Sequence, residues 1–231
     1  MTAGCLLLLH GAIGSKTQLD ELKFQLEQNL TLHSINFSGH GGEEIPTGDF
    51  SIKLFADDVL HWMNENTVAT VDVFGYSMGG YVALYLARHH PEKIRKIFTL
   101  ATKFNWTSQS SEQEVKMLNP GKIIEKLPAF AETLQKRHAP QDWKIILKKT
   151  ADMMLAMGND KVLTDPDFAK IEHAVMLSVG DHDKMVGIEE TTSVFHQLKK
   201  GSMTVFPSTA HAIESANTGM LSYHIRVFMD S

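Results

Sequence analysis

The chain has 231 residues, of which 43% are hydrophobic, and a formal net charge of −5. That apolar content fills a sizeable core, and the length suits a single α/β domain, residues 1–231, carrying an insertion. An acidic balance with scattered Lys and Arg argues against nucleic acid or an anionic membrane surface as a partner and leaves a small molecule as the expected one.

In chain order, Cys5 to Leu9 is an apolar run that reads as a buried strand. It lacks the basic flank and cleavage site of a secretory leader. Cys5 is the single cysteine, so no intramolecular disulfide forms, in keeping with a reducing compartment. No segment reaches the roughly 18 apolar residues that suggest a membrane span. The expectation is a cytoplasmic monomer or homodimer.

After the loop His10–Gly14, residues Lys16 to Asn29 space Leu19, Leu22, Leu26 and Leu30 as a helix does. Thr31 to Phe37 predicts a second strand, ending in Ser38-Gly39-His40-Gly41-Gly42. Phe50 to Glu65 predicts a helix with Ser51 as its cap. Val71 to Phe74 is the next strand, Gly79 to His90 a helix closed by Pro91, and Lys96 to Leu100 a strand.

From Thr102 to Lys170 the alternation stops, and the pattern is helical with no convincing strand. Trp106, Phe130, Trp143, Met153, Met154 and Met157 give this stretch more large apolar groups than a linker needs. It reads as a helical cap, 102–170, inserted between two strands. Beyond it come a strand at Ala174 to Val179, a helix at Ile188 to Lys199, a strand at Ser202 to Phe206 and a final helix from His211 to Met229. Strand–helix alternation predicts a mostly parallel sheet of about six strands with helices on both faces and active groups at the strands' carboxyl ends.

Within that frame, Val71 to Gly80 read VDVFGYSMGG, a strand breaking into Gly75-Tyr76-Ser77-Met78-Gly79 before a helix. A serine flanked two residues away on each side by glycine, between strand and helix, is the nucleophile-elbow pattern. The turn lifts the hydroxyl above the sheet end, over the free N–H groups and positive dipole end of the next helix.

A nucleophilic serine needs a base, and in this order an acid and then a histidine follow it. Type alone does not choose among twelve histidines, but His211 follows the last strand and so falls at the same sheet edge as Ser77. Asp181 and Asp183 both follow the preceding strand. Asp183 is favoured because it lies farther into the loop, whereas Asp181 suits a turn cap. The expected oxyanion donors are the N–H groups of Met78 and of Ala12, with Ile13 as the alternative to Ala12. Ile13, Tyr76, Trp106, Trp143 and Met154 are the expected substrate contacts.

Together, Leu8-Leu9-His10-Gly11, Ser38-Gly39-His40-Gly41, Gly75-Tyr76-Ser77-Met78-Gly79-Gly80, Gly180-Asp181-His182-Asp183 and Ala210-His211 resemble the α/β-hydrolase superfamily, over nearly the whole chain. The resemblance implies an α/β-hydrolase fold, a triad of Ser77, Asp183 and His211, a helical cap after Leu100, and no metal or organic cofactor. The antiparallel edge strands common in that family have no counterpart in the pattern.

The run from Gly11 to Thr17 shares residue types with a phosphate loop, but Ser15 and His10 stand where that loop needs its glycines. His40 is expected to pack beneath the active-site loop. The acids and histidine at 181–183 have no second cluster at ligand spacing, so no metal is expected. The expected activity is hydrolysis of carboxylic esters with small to medium apolar groups. Thioester or C–C bond hydrolysis, a step like that of the menaquinone-pathway lyase branch, or ligand binding without catalysis are alternatives on the same framework. A cationic cap residue facing Ser77, with Lys103 and Arg137 as candidates, would favour anionic substrates.

Overall fold

The computed structural model describes residues 5–27 and 31–231. Strand β1 (Cys5–Leu9) runs between β2 (Thr31–Ile35) and β3 (Val71–Tyr76); β4 (Ile94–Leu100), β5 (Ala174–Gly180) and β6 (Lys200–Phe206) extend the sheet outward from β3. All five pairings are parallel, in the order β2-β1-β3-β4-β5-β6. The chain leaves β1 toward one edge and β3 toward the other, so the winding reverses between these two strands. Crevices outside such a reversal are where open α/β sheets bind ligands.

Alternation along β1 sets the two layers. Leu7 and Leu9 face a core with Phe55 and Val59 of α2 (Ile52–Glu65) and Val82 and Leu86 of α3 (Met78–His89). Leu6 and Leu8 face the opposite core, with Leu22 and Leu26 of α1 (Asp20–Leu26) and Leu221, Ile225 and Phe228 of α10 (Thr218–Asp230). A strand buried on both faces reads as a continuous apolar run, which is why CLLLL is so uniform.

Between β4 and β5 lie five helices: α4 (Ser108–Val115), α5 (Pro120–Lys126), α6 (Pro128–His138), α7 (Trp143–Asn159) and α8 (Asp165–Phe168). Ile123, Leu134, Trp143 and Leu147 form a small core of their own there. Helix α9 (Ile188–Phe195) links β5 to β6.

Element ends depart from the sequence reading in instructive ways. The first helix opens with a 3-10 turn, Lys16–Leu19, before α1 begins; its expected end at Asn29, and Leu30, lie outside the described residues. Ser51 caps α2 as expected, its Oγ accepting the N–H of Leu54 at 3.0 Å. The last helix starts at Thr218, not at His211. Asn217 takes the Met220 N–H at 2.9 Å, and Ser215 Oγ accepts from Ala210 N at 3.1 Å and donates to Ala212 O at 2.6 Å. Short polar side chains thus offer the backbone partners other than helical ones and hold 211–217 as a loop with only a short 3-10 turn.

Candidate active site

Ser77 sits between β3 and α3 with φ 50° and ψ −114°, a left-handed conformation that a serine rarely adopts. The strain is held from outside. Its N–H donates to Leu100 O at 2.8 Å, carrying the β3–β4 ladder one residue past the strand, and Thr102 Oγ1 donates to its carbonyl at 3.1 Å. Tight packing requires the flanking glycines. A Cβ on Gly75 would lie 2.5 Å from Gly79 O in α3, and one on Gly79 would lie 2.5 Å from Leu9 O in β1.

The sheet register brings the other groups to the same rim. Leu9 pairs with Gly75, Gly75 with Thr99, Leu100 with Ser178 and Gly180 with Phe206, so the loops that follow leave one edge together. His211 Nε2 lies 3.3 Å from Ser77 Oγ, and its Nδ1 lies 2.8 Å from Asp183 Oδ2. A serine–imidazole contact of that length is common before substrate tightens the site. The Asp183 side chain is fully buried and that of His211 is 17% exposed.

Burial alone would raise the Asp183 carboxyl. The hydrogen bond and charge of His211, with the N–H groups of Val186 and Met185, outweigh it and hold the group below the ordinary carboxylate range. Those N–H groups reach Asp183 Oδ1 at 2.9 and 2.8 Å. Asp183 therefore fastens its own loop and takes the imidazole Nδ1–H with its other oxygen. Asp181, expected to cap its own turn, instead accepts the Thr209 N–H at 3.2 Å and ties the β5 loop to the loop bearing His211.

Of the expected oxyanion donors, Met78 opens α3, where its N–H lies outside the helical ladder. Ala12 lies in the loop after β1, and both residues line the cavity that contains Ser77. Among the described residues neither N–H has an acceptor. Ile13 has φ 53° and turns its carbonyl away toward α6, where Arg137 Nη1 donates at 3.1 Å and His138 Nε2 at 3.0 Å. Below this loop His10, His40 and His138 form a chain, with ring centroids 5.3 Å apart for His10–His40 and 5.8 Å for His40–His138. Burial drives His10 down to about 3 and His138 down to about 4, and His40 well below the usual value. All three rings are neutral, and His138 also ties the loops by donating to Ile13 O and accepting the Gly41 N–H at 3.1 Å.

The cleft over Ser77 spans about 470 Å³ of space, the open solvent at its mouth included. Trp106, Met153, Met154 and Met157 wall it from the inserted helical segment; Ile52, Met78 and Tyr81 wall it from the sheet side. Of the expected substrate contacts, Trp106 and Met154 line this cavity. Three expected substrate contacts do not line this cavity. Ile13 packs on the small core of the inserted helices, and Trp143 is buried within that core. Tyr76 points to the opposite layer, because it follows Gly75 in the strand alternation, and its hydroxyl donates to His211 O at 3.0 Å. It holds the histidine loop and does not face the cavity.

A family model described as alpha/beta hydrolase fold matches residues 4–137. The chain belongs to the α/β-hydrolase family. Among curated proteins, the pimeloyl-[acyl-carrier protein] methyl ester esterase of Neisseria meningitidis (strain H44/76) is 30% identical over 107 residues, 46% of this chain and 40% of that protein. This α/β-hydrolase chain therefore matches about two fifths of that relative's length. Among solved structures, a thermophilic esterase from Thermogutta terrifontis superposes with a TM-score of 0.79 at 17% identity, covering 99% of this chain and 90% of the other. MenH from S. aureus superposes with a TM-score of 0.79 at 17% identity, covering 100% and 94%. At such identities the likeness is one of fold.

Sequence reasoning missed several groups of this α/β-hydrolase. Thr102 and the Arg137–His138 clamp hold Ser77 and the Ala12 loop through backbone carbonyls. Glu114, paired with Lys103 at 3.1 Å, lies in the cavity wall. No local motif marks them, since each acts across a tertiary contact.

Proposed function

We propose that this chain is a serine hydrolase of carboxylic esters with small to medium apolar acyl or alcohol groups, working through an acyl-enzyme. The observation that carries this reading is the unbroken relay from Ser77 Oγ to His211 to the buried Asp183, opening into an apolar cavity. Ser77 Oγ attacks the ester carbon as its proton passes to His211 Nε2. Asp183 holds the Nδ1–H tautomer and balances the imidazolium that forms. The Met78 and Ala12 N–H groups receive the developing oxyanion. Collapse breaks the bond to the alcohol, which leaves with the proton from His211; water then repeats the steps in reverse and frees the acid.

The relationship to the Neisseria enzyme, which bears the name of a methyl ester esterase, supports ester cleavage. A lyase step on an anionic substrate needs a free cation near Ser77. Lys103 is instead paired with Glu114, and Arg137, which donates to the Ile13 carbonyl, does not line the cavity. The test is p-nitrophenyl butyrate turnover together with labelling by a fluorophosphonate. Ser77→Ala is expected to lower kcat at least a thousandfold and to abolish labelling. Undiminished turnover in that variant would refute the assignment.

A further inference from the structure

Apart from Ser77 and His211, the side chains in the cavity wall that carry polar atoms are those of Tyr81, Lys103, Trp106 and Glu114, and the Trp106 indole N–H donates to Lys103 O at 3.1 Å. The Tyr81 hydroxyl accepts the Leu163 N–H at 3.1 Å, and its own proton has no acceptor among the described residues. Lys103 is spent: Nζ lies 3.1 Å from Glu114 Oε1, donates to Met185 O at 2.9 Å, and sits 5.9 Å from the Trp106 ring centroid. Glu114 is different. The residue is 9% exposed, Oε1 faces Lys103, and Oε2 is buried without a hydrogen-bond partner among the described residues. Buried carboxylate oxygens normally have donors, because one without a partner forfeits its solvation.

We propose that Glu114 selects the substrate: its Oε2 accepts a hydrogen bond from a neutral donor, a hydroxyl or amide N–H, carried on the otherwise apolar group that enters the cavity. This rests on the ester-hydrolase reading of the same site. Charge excludes the other end groups. A carboxylate would meet the unpartnered oxygen of Glu114 and find the Lys103 ammonium occupied. An ammonium would add a second cation where one carboxylate balances only Lys103, leaving buried charge uncompensated. A neutral donor completes the set without changing the charge. The methionine walls adapt to the chain between that donor and the ester.

The experiment compares p-nitrophenyl 6-hydroxyhexanoate, heptanoate (its isostere with methyl for hydroxyl) and the monoester of adipic acid. With the wild-type protein, kcat/KM for the hydroxy ester is expected about tenfold above heptanoate, with the adipate monoester lowest. Glu114→Gln leaves Lys103 unbalanced and is expected to raise the adipate-to-heptanoate ratio at least tenfold; Lys103→Met with Glu114→Met is expected to flatten the series. Binding of the same esters to Ser77→Ala, followed by Trp106 fluorescence, reads the ranking without turnover. Equal rates and equal binding for the hydroxy ester and heptanoate, with the Glu114→Gln ratio unmoved, would overturn the proposal. If Ser77→Ala still turns the esters over, the hydrolase reading itself falls. If turnover depends on Ser77 but the series is flat, only the selection by Glu114 falls.

Discussion

At the scale of the residue, Asp183 does two jobs with two oxygens. Oδ1 closes its own loop on the Met185 and Val186 N–H groups, and Oδ2 takes the imidazole. Asp183→Asn should therefore keep the fold and lose the chemistry. The amide can satisfy the loop or the ring, but an NH2 facing Nδ1 reverses the tautomer and leaves Nε2 protonated against Ser77. The expected result is a fall in kcat on p-nitrophenyl butyrate of about a thousandfold or more, with little change in the urea midpoint. Activity within tenfold of wild type would remove Asp183 from the relay. Tyr76 teaches the converse lesson. A residue next to the nucleophile in sequence faces the other side of the sheet, because strand neighbours alternate.

At the scale of the element, the inserted helices do more than wall the cavity. Helix α6 ends in Arg137 and His138, and both reach over to the Ile13 carbonyl. Ile13 is β-branched and held at φ 53°, a conformation that persists only where neighbours impose it. The clamp holds the loop that carries Ala12, the proposed oxyanion donor. Arg137→Met, which keeps the aliphatic stem, is expected to lower kcat about tenfold while KM moves less than twofold, as for a group felt mainly in the transition state. A variant with KM raised and kcat unchanged would show that the clamp shapes substrate binding and not the oxyanion donors. The loop at 211–217 makes a related point: Asn217 and Ser215 decide where α10 starts, so His211 is left free to face Ser77.

At the scale of the whole molecule, the buried histidines couple the fold to pH. His10 is held down at about 3, His138 at about 4 and His40 well below its usual value, in each case by burial first. In the unfolded chain each titrates near 6.5. Above that pH both states are neutral and nothing is lost. As pH falls below about 6.5 the unfolded chain takes up protons that the folded one refuses, so stability drops by up to about 1.4 kcal/mol per histidine for each pH unit. For His138 the loss levels off once pH passes 4, where the folded ring also takes its proton. Asp183, held low in the fold, adds a further loss below the ordinary carboxylate range. Urea midpoints measured at pH 8.5, 7.5 and 5 should be nearly flat across the first interval and fall across the second. A midpoint unchanged down to pH 5 would show that these rings protonate in place.

Much of this fold was legible in the chain because it follows from short-range rules. The apolar runs at Cys5–Leu9 and Val71–Phe74 mark strands covered on both faces, and Ser51 marks a cap by its chemistry alone. The elbow around Ser77 declares itself because no side chain larger than hydrogen fits at Gly75 or Gly79 beside α3 and β1. The order of serine, acid and histidine placed Ser77, Asp183 and His211 after β3, β5 and β6, and parallel register did the rest. What a one-dimensional pattern leaves open is which face a side chain takes once its element is packed. Tyr76, Ile13 and Trp143 needed the assembled layers to show that they turn from the cavity. Glu114 needed Lys103, Met185 and Trp106 around it to be left with one unpartnered oxygen. Turns and strands are set by neighbours along the chain; pockets are set by neighbours across space, and only packing decides who they are.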